Sequence, residues 1–177
     1  MRAWFCPGHG AELAHRIAEA IYRARRVRIA SPVISSGPIL GTLAQVVSDR
    51  RADVAGMVDA TQIAQVFEQW DENGNAEWKH PLLARVIGDG RFTGKHSTPW
   101  SPDAVHDYMH AKITVADDTA FVGSFNLSRS GEENAENVLE IKDAGVAATL
   151  AAYIDEVRGR FPPLQPPPEP ARRPPRP

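Results

Sequence analysis

The sequence predicts an α/β protein built on a mixed, largely parallel β-sheet flanked by helices on both faces. Two observations carry that expectation. Short β-branched runs alternate with amphipathic segments of helical period, the pattern that βαβ units produce. The apolar content of 42% in 177 residues is enough for one buried core in a single ordinary domain.

Residues 2–6 are apolar and aromatic but for Arg2 and end at Pro7-Gly8, which predicts a short strand closed by a turn. From Ala11 to Arg25, Leu13, Ile17, Ala20, Ile21 and Ala24 recur at helical spacing, with Glu12, Arg16, Glu19 and Arg23 largely on other faces. Val27 to Val33 has the β-branched character of a buried strand. Ser35-Ser36-Gly37-Pro38 then supplies a turn, with proline at the start of a second helix over Ile39 to Ser48. The unit repeats as a strand over Asp53 to Asp59 and a helix over Thr61 to Trp70. Asn73-Gly74-Asn75 breaks the chain, and a short helix is expected over Pro81 to Ile87. Gly88 to Asp107, rich in Gly, Pro, Ser, Thr and Asp, reads as one long connection, the kind of segment that often carries function.

Strands are predicted over Met109 to Ala116 and Thr119 to Gly123, joined as a hairpin at Asp117-Asp118, with a further strand over Asn137 to Ile141. The final helix, Ala144 to Arg160, stops before Pro162-Pro163. A domain over 1–161 followed by a disordered Pro/Arg-rich tail over 162–177 is therefore expected; the tail's alternative reading is a docking segment for an aromatic-lined groove.

Net charge is −2 and the isoelectric point near 6.3, so no global basic field draws the chain to nucleic acid without regard to sequence. The cluster Arg23, Arg25, Arg26 and Arg28 reads as a solvated helix end. Cys6 is the only cysteine, which excludes an internal disulfide and a thiolate cluster, and it is expected to be a small buried hydrophobe. No basic segment followed by a long apolar run opens the chain, and no stretch approaches the ~18 apolar residues of a spanning helix. A soluble cytoplasmic protein is expected, with room for peripheral attachment to a membrane.

The chemistry concentrates in HAKITVADDTAFVGSFN, His110 to Asn126. On a strand, His110 and Lys112 point to one face, because side chains two apart share a side. Ser124 and Asn126 stand two apart just past the next strand, and the hairpin folds that pair back toward the first. An imidazole, a fixed cation and two neutral hydrogen-bond donors then converge. That set suits a phosphoryl group, whose transfer needs mostly positioning and stabilisation of spread negative charge. Histidine can attack as a free base or donate a proton near neutrality. No carboxylate cluster with metal-ligand spacing accompanies it, so neither a catalytic metal nor any other cofactor is expected.

HAK, Asp117 and GSFN together resemble the HxK, D and GSxN signature of the phospholipase D superfamily. Six fixed residue types at this spacing arise by chance in such a chain with a probability on the order of 10⁻⁶. The resemblance runs on into SGEENAENVLEI, and more weakly back through RIASPVISSGP, so it covers nearly everything but the proline tail. Many members have six residues between the aspartate and the glycine, whereas five separate Asp117 from Gly123. Taking Asp118 instead leaves five and four residues in the two gaps, so Asp117 is the better match, with a hairpin one residue shorter.

The resemblance implies a phospholipase D-like fold and a phosphodiesterase in which His110 attacks phosphorus to give a covalent phosphohistidine. A second histidine protonates the leaving oxygen and then activates water or an alcohol acceptor. Lys112 and Asn126 are implied to bind the phosphate oxygens, with Ser124 beside them. Asp117 reads as a structural hairpin residue, and Glu136 as the partner that fixes the tautomer of His110, ahead of Glu132, Glu133 and Glu140.

That mechanism takes two histidines, and the signature occurs once. His9, His15, His80, His96 and His106 lack a lysine two residues on. His106, four residues up a strand from His110, is expected roughly 13 Å away, at the rim. A second copy of the domain is therefore expected, as a homodimer or as the other half of a longer chain. The substrate is a phosphodiester of phospholipid or nucleic acid. Exposed apolar loops around Trp100 and Tyr108 would favour lipid, and GSFNLS with NAEN resembles the small dimeric nucleases of the superfamily. The alternative from another class is a catalytically silent phosphate-binding or interaction module, whose mark would be a broken signature.

Overall fold

The computed structural model describes residues 1–72, 74 and 76–167. The strands are β1 (Arg2–Phe5), β2 (Arg26–Ala30), β3 (Asp53–Asp59), β4 (Arg91–Lys95), β5 (Ile113–Ala116), β6 (Thr119–Gly123) and β7 (Asn137–Lys142). The helices are α1 (Gly10–Arg23), α2 (Gly37–Ser48), α3 (Ala60–Glu72), α4 (His80–Asp89), α5 (Arg129–Glu133) and α6 (Ala144–Arg158).

All seven strands form one mixed sheet in the order β1-β7-β6-β5-β2-β3-β4. The α/β class and mixed sheet are as the sequence predicts, but the balance of pairing is not. Only β2 with β3 and β3 with β4 pair in parallel. The ladders β1 with β7, β7 with β6, β6 with β5 and β5 with β2 are all antiparallel. The physical reason is connection length. Helical crossovers carry the chain from β2 to β3 to β4 and keep those strands parallel, while the two-residue turn at Asp117-Asp118 permits only an antiparallel return.

Helices cover both faces of the sheet. Leu13, Ile17 and Ile21 of α1, Ile39, Leu40 and Leu43 of α2, and Leu83 and Val86 of α4 pack with Val27, Ile29, Val54, Val58 and Phe121. On the other side, Ala147, Ala151 and Ile154 of α6 meet Ala30, Met57, Val115 and Ala120. Successive strand residues thus feed different cores, which is why β3 reads as an unbroken apolar run. No described helix is long and apolar enough to cross a membrane.

The sequence missed local elements, among them the short 3-10 turn Glu77–Lys79. Arg91–Lys95, inside the predicted long connection, is the edge strand β4. The five-residue α5 is too short to show a period; it is capped by Ser128, whose hydroxyl accepts from Gly131 N at 3.0 Å. Pro162 to Leu164, expected to begin the disordered tail, instead run along β4. Gly94 N donates to Pro162 O and Leu164 N to Phe92 O, each at 3.0 Å, and Leu164 packs against the core. Proline has no N–H of its own, yet it sits without penalty against an edge strand. The rest of the predicted tail, 168–177, lies outside the described residues.

Candidate functional site

The signature occupies the end of the sheet where β3 and β6 finish and β5 begins. The β5 ladder with β2 starts at Ile113, so His110, Ala111 and Lys112 lie in an irregular approach and not in the predicted strand. Lys112 still faces the hairpin partner, since Gly123 N donates to Lys112 O at 3.4 Å. Its ammonium turns back and donates to the carbonyl oxygen of His110 at 2.8 Å. Burial pushes the Lys112 ammonium below the usual lysine range, and the nearby Glu136 carboxylate opposes that shift.

Gly123 is a position of close approach, where a Cβ would collide with the Asn137 carbonyl of β7. Beyond it, Ser124 N donates to Asn137 O at 3.0 Å, and Ser124 Oγ accepts from Asn137 N at 3.1 Å. Phe125 and Leu127 enter the core, alternating with the half-buried Ser124 and Asn126. Leu127 O accepts from both Ser35 N and Ser36 N, at 2.7 and 2.9 Å, which ties this stretch to the loop before α2. Asn126 Oδ1 is buried without a hydrogen-bond partner among the described residues, a costly state that a donor arriving from elsewhere would relieve.

The His110 ring is exposed, and among the described residues it makes no hydrogen bond or ring contact of its own. Met109, just before it, is buried, and its N–H donates to Asp59 Oδ2 at 3.0 Å. Asp59 was missed in the sequence. Its signal is Asp59-x-x-Gln62 at the start of α3, a helix-capping pattern, and Asp59 Oδ1 does accept from Gln62 N at 3.0 Å.

The four glutamates separate by their partners. Glu140 accepts from Arg16 Nε at 2.8 Å and from Trp4 Nε1 at 3.1 Å, and Glu133 pairs with Arg129 on the surface at 2.9 Å. Glu132 accepts from Ser36 Oγ at 2.7 Å. Glu136 is the one whose charge acts on Lys112. It also acts, after burial and ahead of Glu132, to push the buried Cys6 thiol up.

Asp117 stands apart from this set. It lies at the turn end of the hairpin, beyond the four residues of β5, with φ of 50°. Its carboxylate accepts from the amides of Arg25 at 3.0 and 3.1 Å and of Arg26 at 2.8 Å. Of the cluster read as a solvated helix end, Arg23, Arg25 and Arg26 are exposed, as expected, but Arg28 is not. Arg28 is buried and bonds Asp53 and Asp155 at 2.8 and 2.7 Å.

Among the described residues no hydrogen bond or ring contact joins another histidine to His110. His80 is buried beside Asp71, His9 lies edge-on to Trp4, and the exposed His106 sits edge-on to Tyr108 at 6.0 Å. Trp100 is exposed, whereas Tyr108 is half-buried.

Residues 13–158 match the family described as "Cardiolipin synthase, PLD-like domain". A comparison with curated proteins found no match. Among solved structures, the chain is similar to Nuc from Salmonella typhimurium, titled a phospholipase D family member, at 16% identity and a TM-score of 0.66. The similarity covers 93% of this chain and 97% of that one. NucT from Helicobacter pylori matches at 18% identity and a TM-score of 0.64, over 88% of this chain and 92% of its own. A phosphatidylserine synthase from Haemophilus influenzae matches at 18% identity and a TM-score of 0.60, over 88% of this chain but 36% of its own. At these identities the structural likeness establishes the fold.

Proposed function

The chain belongs to the phospholipase D-like domain family, and from that premise we propose that it cleaves or transfers a phosphodiester through a covalent phosphohistidine on His110, without a metal. The observation that carries this reading is the juxtaposition at one sheet end of an exposed imidazole, free of hydrogen bonds among the described residues, and the Lys112 ammonium, 2.8 Å from the His110 carbonyl oxygen, with Ser124 and Asn126 just past the adjoining end of β6. A ring nitrogen of His110 attacks phosphorus while the P–O bond to the leaving group breaks. The departing oxygen takes a proton from a second histidine, which then activates water or an alcohol to cleave the P–N bond. Lys112 and the Asn126 amide N–H hold the non-bridging oxygens, with Ser124 beside them, and Glu136 balances the cation; the bond from Glu136 to the His110 ring that the resemblance implies is not made among the described residues.

Among the described residues no hydrogen bond or ring contact joins a second histidine to His110, and the signature occurs once, so we assign the proton to another copy of the domain, which a symmetric dimer supplies most simply. Within the reaction class, a nuclease has one observation in its favour: GSFNLS with NAEN resembles the small dimeric nucleases of the superfamily.

The test is hydrolysis of an aryl phosphodiester in chelator-containing buffer, with the solution mass recorded alongside. Wild type is expected to turn over as a dimer, and His110→Ala to lose at least about 10⁴-fold in kcat, as removal of a nucleophile does. Undiminished activity in the variant, or loss in wild type on adding chelator, overturns the mechanism. Turnover of phosphatidylcholine against single-stranded DNA then selects the substrate class.

A further inference from the structure

Asp59 is wholly buried at the end of β3, and among the described residues no Lys or Arg pairs with it. A buried carboxylate is tolerable only when hydrogen bonds satisfy it, and here three donors from three segments do so. Gln62 N of α3 and Ser97 Oγ of the loop after β4 both reach Oδ1, at 3.0 and 2.8 Å. Oδ2 accepts from Met109 N at 3.0 Å. The first two bonds cap a helix and close a loop, a closure that Thr61 reinforces by bonding both Ser97 O and Ser97 N. The third falls on the residue immediately before His110.

That bond matters because nothing regular holds the chain there. The ladder with β2 ends at the pair Ala30 and Ile113, leaving 109–112 without strand partners apart from the long Gly123 N to Lys112 O contact. The backbone carrying the imidazole is therefore suspended between that contact and the Asp59 carboxylate, with the buried Met109 side chain as a further anchor.

Building on the phosphohistidine reading, we propose that Asp59 is a positioning residue, which sets the main chain at Met109 so that His110 meets phosphorus in line. A displacement of about 1 Å in a reacting group costs on the order of 10² in rate.

Two variants weaken the Met109 bond, and Ser97→Ala controls for the loss of the side-chain donor to Oδ1. Asp59→Asn keeps the size of the side chain but replaces one acceptor oxygen with a donor. Asp59→Ser retains a cap for Gln62 N and is too short to reach Met109. Both are expected to fold, to lose about 10²-fold in kcat with KM within about threefold, and to lose the hydrogen-exchange protection of the Met109 amide. Ser97→Ala removes a donor to the other oxygen of the same carboxylate, and is expected to stay within about threefold of wild type in kcat.

Equal kcat losses in Ser97→Ala and the Asp59 variants would make Asp59 a plain structural residue and overturn the proposal. So would unchanged kcat in both Asp59 variants. If wild type turns over no phosphodiester, the phosphohistidine reading falls, and Met109 exchange decides on Asp59 alone. Protection retained in Asp59→Ser then overturns the positioning role, and protection lost supports it.

Discussion

The two ends of the sheet handle most of their polar groups differently, with Arg158 Nε, buried and unpartnered at the turn end, and Asp59, satisfied by three donors at the signature end, as exceptions. At the turn end, charge is spent on charge or backbone. Arg28 donates to Asp155, Asp53 and two carbonyls, Arg26 pairs with Asp155, and Asp117 gathers the amides of Arg25 and Arg26. At the signature end, polar groups are left open. The His110 ring is unengaged among the described residues, Asn126 Oδ1 is buried and unpartnered, and the Lys112 ammonium is bonded to one carbonyl. The turn end holds the strands together, while the signature end leaves hydrogen-bonding capacity unused at some cost in stability, as the proposed phosphodiester site requires. Changes at one end should therefore move activity with little loss of stability, and changes at the other should do the reverse.

After His110, Lys112 gives the largest expected effect. Lys112→Met keeps most of the volume and removes the charge, and kcat/KM should fall about 10²–10³-fold, as when one stabilising donor is lost at a phosphoryl site. Thermal stability should change by less than about 1 kcal/mol. The pH dependence has two signs. Because burial lowers the pKa of this lysine on folding, the unfolded chain holds the extra proton between the folded and unfolded values. Its contribution to stability therefore rises with pH through that window, while activity, which needs the cation, falls through it. A wild-type rate profile with an alkaline limb below the usual lysine range, absent in Lys112→Met, supports the assignment. An identical limb in both proteins would refute it.

The signature end was the more legible in the sequence, and for a physical reason. Reaction chemistry requires particular residue types at fixed spacing, so His110, Lys112, Ser124 and Asn126 stood out and do lie at one sheet end. The strands β3 and β6 fall where periodicity put them, because both of their faces or their hairpin turn constrain the pattern. Pairing partners leave no such trace: nothing within Ile113–Ala116 tells that it lies antiparallel to β2. The edge strand β4 was lost among glycines and polar residues. Arg28 read as solvated because its carboxylate partners lie 25 and 127 residues away. Asp59 was hidden for the same reason, since two of its three donors come from loops distant in sequence.

Arg28 tests the turn end. Arg28→Met leaves Asp53 and Asp155 without their shared partner, and denaturant unfolding should show a loss of about 2–3 kcal/mol, below the range for fully buried pairs because both carboxylates are partly exposed. The rate per folded molecule should be unchanged. Burial alone would push the Asp53 carboxyl up, but hydrogen bonds and charge from Arg28 and Arg91 outweigh it and hold it below the usual range. The stability it contributes is therefore present above its unfolded pKa and lost as pH falls through the folded one. Acid unfolding should be less steep in Arg28→Met.

Asp117 is the sharpest probe of the contrast, because it belongs to the signature by sequence and to the turn end by position. If membership in the signature decides its role, Asp117→Ala should depress kcat as the Lys112 variant does. If position decides, the variant loses the amide bonds to Arg25 and Arg26 and puts alanine at a φ of 50°, a conformation it disfavours. Together these should cost about 1–2 kcal/mol of stability, with kcat per folded molecule unchanged. Asp117→Asn should recover part of the loss, since asparagine tolerates the left-handed region and its amide oxygen can still accept from the turn. A tenfold fall in kcat in a folded Asp117→Ala protein would join the two ends and dissolve the division between them.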